Sequence, residues 1–150
     1  MKYFKNLHAG WADLEIEDFK GRISYIRNIP WDILRAYEEY LIFGHCIIPF
    51  DEEKTDFYIY VNDIEIIIIR SDAVNQRQIF IIQEIPAQFI KNIALDVALN
   101  IKEWCEWNNI VNESYDIINN KIKELEYACL RLDLLETKII DFPRKGFDND

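Results

Sequence analysis

The chain has 150 residues, half of them hydrophobic and 14% aromatic, with 27 Asp and Glu against 17 Lys and Arg for a formal net charge of −10. That length matches one domain and suffices to bury a core without disulfides or metal, and the composition lies far from that of disordered chains. The acidic balance argues against nucleic-acid and anionic-membrane binding, because no excess of Lys or Arg is present to release counterions, and it favours basic partners.

Residues 12–17 alternate Leu14 and Ile16 with Asp13, Glu15 and Glu17, the period of a half-buried strand. Asp18-Phe19-Lys20-Gly21 then reads as a turn and residues 22–26 as the returning strand. Pro30 opens a helix carrying Trp31, Leu34, Tyr37 and Leu41 at three- and four-residue spacing, with Gly44 as its stop. Residues 45–50 are read as a strand, Asp51-Glu52-Glu53-Lys54 as a turn, residues 57–61 as a second strand and Asn62-Asp63 as a hairpin turn. Residues 64–70 are apolar at nearly every position, which suits a central strand buried on both faces. A polar link through Asp72 leads to a last strand over residues 79–82.

Pro86 begins a helix whose apolar face runs Phe89, Ile90, Ile93, Val97, Ile101 and Trp104, broken at Asn108-Asn109. A final helix places Ile118, Ile122, Leu125, Cys129 and Leu132 in a coiled-coil-like seam. That seam packs either on the domain or, as a homodimer through residues 117–135, on a second copy. Residues 141–150 are expected to fray. The expected order is β-β-α-β-β-β-β-α-α in a single α+β domain, a mostly antiparallel meander sheet with helices packed on one face.

No spacing in the chain points to catalysis. Only Gly10, Gly21, Gly44 and Gly146 are present, none near another, so neither a phosphate loop nor a dinucleotide fingerprint exists. His8 and His45 are the only imidazoles. A zinc site using His45 with Cys46 is opposed by their adjacency, since neighbours on a strand point to opposite faces. Cys46, Cys105 and Cys129 form no framework, and read as buried free thiols of a reducing compartment. Asp51-Glu52-Glu53 with Asp56 lacks the spaced ligands and bend glycine of a calcium loop. No cofactor or metal is expected, and no catalytic residue is nominated. Residues 1–6 lack an apolar h-region and the longest apolar run, residues 64–69, is too short for a membrane span, so a cytoplasmic, non-membrane protein is expected.

Charge placement says more. Residues 51–72 hold Asp51, Glu52, Glu53, Asp56, Asp63, Glu65 and Asp72 against Lys54 and Arg70, a net −5 and half the charge of the chain. Glu15 and Glu17 point outward together opposite Leu14 and Ile16. Tyr58 and Tyr60 share a strand face near the acids, where rigid aromatics anchor a protein partner while charges steer it. These eleven residues are the candidate partner-binding set; the tyrosines packing under the helices, and acidity serving solubility alone, are the competing accounts.

The layout resembles the immunity proteins of bacterial polymorphic toxin and contact-dependent growth inhibition systems. The resemblance rests on Trp11-Ala12-Asp13-Leu14-Glu15-Ile16 near the start, Ile29-Pro30-Trp31-Asp32-Ile33-Leu34 opening a helix, Phe50-Asp51-Glu52-Glu53 before a β-meander, and a helical C-terminal segment. It implies a cytoplasmic inhibitor of one cognate toxin domain, often a nuclease. A non-catalytic adaptor or scaffold that self-associates through its C-terminal helix is the alternative.

Overall fold

A computed structural model describes residues 1–71, 76–109 and 111–136. The expectations for Asp72 and for a frayed tail over residues 141–150 therefore lie outside the described residues. The chain is α+β with two antiparallel sheets. β1 (Phe4–His8), β2 (Trp11–Ile16) and β3 (Phe19–Ser24) form a three-stranded sheet, and α1 (Ile29–Phe43) follows. A four-stranded meander then comprises β4 (His45–Asp51), β5 (Asp56–Asn62), β6 (Ile66–Ser71) and β7 (Arg77–Ile82). The C-terminal helices are α2 (Pro86–Ala98), α3 (Ile101–Trp107) and α4 (Tyr115–Arg131). The expected order holds, with one strand more at the start and the first C-terminal helix in two pieces.

Those differences have local causes. β1 lacks a clean alternation because its register to β2 shifts between Lys5 and His8, where Asn6 sits at φ 55°. The Ala9-Gly10 turn that joins it to β2 has φ 48° and 81°, the positive values that match hairpin twist. The second hairpin turns earlier than expected, at Glu17-Asp18, with Ile16 paired to Phe19. Phe19 is thus a buried strand residue, and Gly21 lies within β3. A Cβ on Gly21 would stand 2.9 Å from the Phe57 ring, so the glycine is needed for close packing of the two sheets. α2 and α3 separate because the Asp96 carbonyl accepts from the Asn100 Nδ2 and Trp104 Nε1 side chains. The Asn100 backbone N–H turns instead to Val97, a side-chain competition that ends the helix.

An aromatic chain ties the layers together. Trp107 packs on Trp104, Trp104 on Phe4, Phe4 on Phe50, Phe50 on Phe57, Phe57 on Phe19 and Phe19 on Phe80, with ring centroids 4.7–6.4 Å apart. The inner face of the four-stranded sheet (Cys46, Ile48, Ile59, Val61, Ile66, Ile68) is buried under α1 and α2. The three-stranded sheet is fixed to α2 by a polar clamp, in which buried Asp96 accepts from the Lys2 and Tyr3 backbone N–H groups, each at 2.7 Å. Ser114 caps α4, and its seam faces inward: Leu125 and Cys129 are buried, and Ile118, Ile122 and Leu132 pack against the same core. The seam expected over residues 117–135 thus packs on the chain's own core, with Ile118, Ile122 and Leu132 partly buried.

Candidate protein-docking face

The outer face of the four-stranded sheet is apolar. Alternation turns Ile47 and Pro49 of β4, Tyr58 and Tyr60 of β5, Ile67 and Ile69 of β6, and Ile79 and Ile81 of β7 to the same side, away from the helices. The registers assemble them into two cross-strand rows. One runs Ile47, Tyr60, Ile67, Ile81 and the other Pro49, Tyr58, Ile69, Ile79. The rows lie about 7 Å apart along the strands. No described element packs over them: Ile47 is 51% exposed, Ile79 63% and Ile81 64%. β6 is internal to the sheet as expected, but only Ile66 and Ile68 of its two faces are fully buried; Ile67 and Ile69 are half-buried. A contiguous apolar patch of this kind marks an interaction surface more often than a solvated one.

Polar positions rim both sides of the band. Asp51, Asp56, Ser71 and Arg77 pair across one end of the strands. His45 and Asn62 pair at the other, where the Asn62 N–H donates to the Glu65 carbonyl. Beyond His45 the apolar surface continues onto the end of α1, where exposed Phe43 stacks on the His45 ring at 6.2 Å.

The expected acidic patch divides accordingly. Asp51, Glu53 and Asp56 cluster at the β4–β5 turn, whereas Asp63 and Glu65 lie at the β5–β6 turn, about 20 Å away along β5. Glu52 belongs to neither surface. Its carboxylate takes both Arg70 Nε and Nη2 at 3.0 and 3.1 Å and the Thr55 hydroxyl at 2.9 Å. The Arg70 guanidinium lies over the Phe19 ring at 4.6 Å, so this pair joins the two sheets. Asp63 accepts from the Tyr40 hydroxyl at 3.0 Å, and burial followed by that carboxylate raises the Tyr40 pKa. Glu17 accepts from the Gln83 N–H at 2.8 Å, again holding the sheets together. Glu15 is outward on the three-stranded sheet, and the hydrogen bond from Lys5 holds its carboxyl below the usual range.

Of the eleven nominated residues, Asp51, Asp56, Tyr58, Tyr60 and Glu65 thus share the outer face. The isoleucines and Pro49 were missed as surface residues because apolar runs read as core; only the cross-strand register distinguishes them.

Chemistry elsewhere is sparse. Burial pushes the Cys46 thiol up to about 12 and those of Cys105 and Cys129 up to about 11, so all three are protonated packing groups near neutrality. Among the described residues no group of three His, Cys, Asp or Glu side chains is placed to hold a metal ion, and no helix is long and apolar enough to cross a membrane. A recess of about 640 Å³ lies between the sheets and sets Asp13, Glu15 and Glu52 against Lys20, Arg22 and Arg70, an even balance of charge. No protein-family model, curated protein or solved structure matches the chain.

Proposed function

We propose that this protein binds a basic protein partner through the outer face of its four-stranded sheet, acting as an immunity-type inhibitor of a toxin domain such as a nuclease. The observation that carries the reading is the pair of apolar rows that no described element covers, with Asp51 and Asp56 at one strand end and the Asp63 and Glu65 turn beyond the other. Tyr58 and the exposed isoleucines supply the desolvated anchors on which tight binding depends. Asp51, Glu53 and Asp56 at one end and Asp63 and Glu65 at the other supply attraction to Lys- and Arg-rich surfaces and raise the encounter rate. A toxin nuclease carries such a surface where it holds phosphates, and a rigid acidic and apolar face is able to occupy it. The immunity assignment rests on the layout resemblance together with the net charge of −10.

The test is co-expression with the polypeptide encoded immediately upstream. Co-purification and rescue of growth by the native chain, both lost in the Tyr58→Asp/Ile69→Asp variant, support the proposal. Failure of the native chain to bind or to rescue overturns the inhibitor reading. Binding that is retained by the double variant moves the interface away from this face.

A further inference from the structure

We infer that β7 is a self-pairing edge: two copies of the chain join antiparallel through β7, making one eight-stranded sheet whose apolar rows run on from copy to copy. The two edges of the four-stranded sheet are unlike. β4 is flanked by α1 and β3, whereas β7 pairs along its length with β6 and meets β3 through the inward Phe80 ring on Phe19, which leaves its outer strand edge unpaired among the described elements. β7 pairs over six unbroken positions, without the bulge, proline or inward charge by which proteins blunt a free edge.

The direction of its backbone groups follows from the ladder. The Asn62 N–H donates to the Glu65 carbonyl, so the odd residues of β6 turn their amides and carbonyls to β5 and the even ones to β7. The β6–β7 register then turns Gln78, Phe80 and Ile82 to β6, leaving Ile79 and Ile81 facing off the sheet. The Gln83 N–H, of the same parity, indeed points away from β6 to the Glu17 carboxylate.

A two-fold axis at Phe80 satisfies these groups with their own copies. Ile79 of each chain exchanges both backbone bonds with Ile81 of the other, and their outward side chains become a hydrophobic cross-strand pair on each side of the axis. On the inner face the half-buried Phe80 rings meet. Arg77 falls opposite Gln83 of the other copy and so avoids its own like charge. Residues 76–83 also contain no Asp or Glu, so the paired strands themselves add no acid-to-acid contact between two chains of charge −10. The second copy contributes its own Ile79 and Ile81 to the docking face, which the dimer doubles in width.

The strand contact is smaller than a standard interface, so the dimer should form at roughly 10–100 µM protein. Sedimentation of the full chain across that range is expected to move from 18.0 kDa toward twice that mass. Adding salt should strengthen the dimer, because it screens two like-charged chains, whereas it weakens binding of a basic partner. Ile81→Pro keeps an apolar residue and removes an edge N–H that the native ladder does not use; it is expected to shift the monomer–dimer midpoint at least tenfold. Hydrogen exchange of the wild type supplies a reading free of substitutions, with slowing at Ile79 and Ile81 as concentration rises. An unchanged 18.0 kDa mass at all concentrations overturns the proposal. So does a dimer that survives Ile81→Pro and is lost on Ile47→Asp, which would place the two copies face to face.

Discussion

On the three-stranded sheet each outward carboxylate of β2 faces a cation: Asp13 pairs across to Lys5 and Arg22, and Glu15 to Lys20, with Lys5 also bridging Glu15. Arg22 closes over the Trp11 ring at 5.2 Å. The outward positions of β5 and β6 hold instead Tyr58, Tyr60, Ile67 and Ile69, with apolar neighbours on both sides. Both sheets bury their inner faces against the same aromatic chain, so stability does not require the second outer face to be apolar. A face that is internally neutral and solvated needs no partner. One that leaves isoleucines at 63% and 64% exposure gains roughly 25 cal/mol for each Å² that a partner covers.

That contrast is open to direct attack. The largest effect should come from the inner side of β6: Ile68→Ala is expected to cost about 3–4 kcal/mol, while Ile67→Thr on the outer side costs less than about 1 kcal/mol. Urea unfolding monitored by tryptophan fluorescence measures both, and equal costs would show that the outer face is covered in solution by part of the chain. Next, partner affinity should fall about 100-fold on Tyr58→Asp, against less than about threefold for Lys20→Glu on the three-stranded sheet. Titration calorimetry with the co-purified partner compares the two, and equal losses would erase the distinction between the faces.

Asp96→Ala should destabilise the protein by about 2–3 kcal/mol, because it strands the Lys2 and Tyr3 N–H groups that anchor β1. Hydrogen exchange should then show the three-stranded sheet opening before the four-stranded one; simultaneous opening would mean that the clamp does not hold that sheet separately. A smaller change is expected for Asp51→Lys/Asp56→Lys, a roughly five- to tenfold slower association at low salt with little change in dissociation. Stopped-flow mixing reads this, and an unaltered association rate would reduce those acids to solubilising groups. Smallest near neutrality is the alkaline effect of the three thiols. Their folded values of about 11 to 12 stand above the ordinary 9.0, so the neutral form is favoured by folding. The stability they carry is complete below pH 9 and declines as pH rises toward 11 and beyond. A flat unfolding free energy across that window would contradict their burial.

Much of this was written locally. Strand and helix identities follow from Leu14/Ile16 alternation, from Pro30 and Pro86 at helix starts and from Gly44 at a helix end, because backbone preference and hydrophobic period act over a few residues. Less local features were not legible. Phe19 lay inside what reads as a turn, and the Leu99-Asn100 break depends on a tryptophan side chain reaching back to Asp96. The candidate site was half legible: Tyr58, Tyr60, Asp51, Asp56 and Glu65 were found by charge and pattern, while Glu52 turned out to be bound by Arg70 from a different strand.

By itself, then, the sequence determined an acidic α+β domain whose strands and helices come in this order. Only the tertiary structure decided that the strands divide into two sheets, that the acids separate to opposite ends of β5, and that the isoleucines of β6 and β7 split between core and surface. The reason is that an apolar residue on a strand carries no mark of which side the helices will cover. That is fixed by pairing register and by the packing of distant segments, and an alternation of period two is the same viewed from either face.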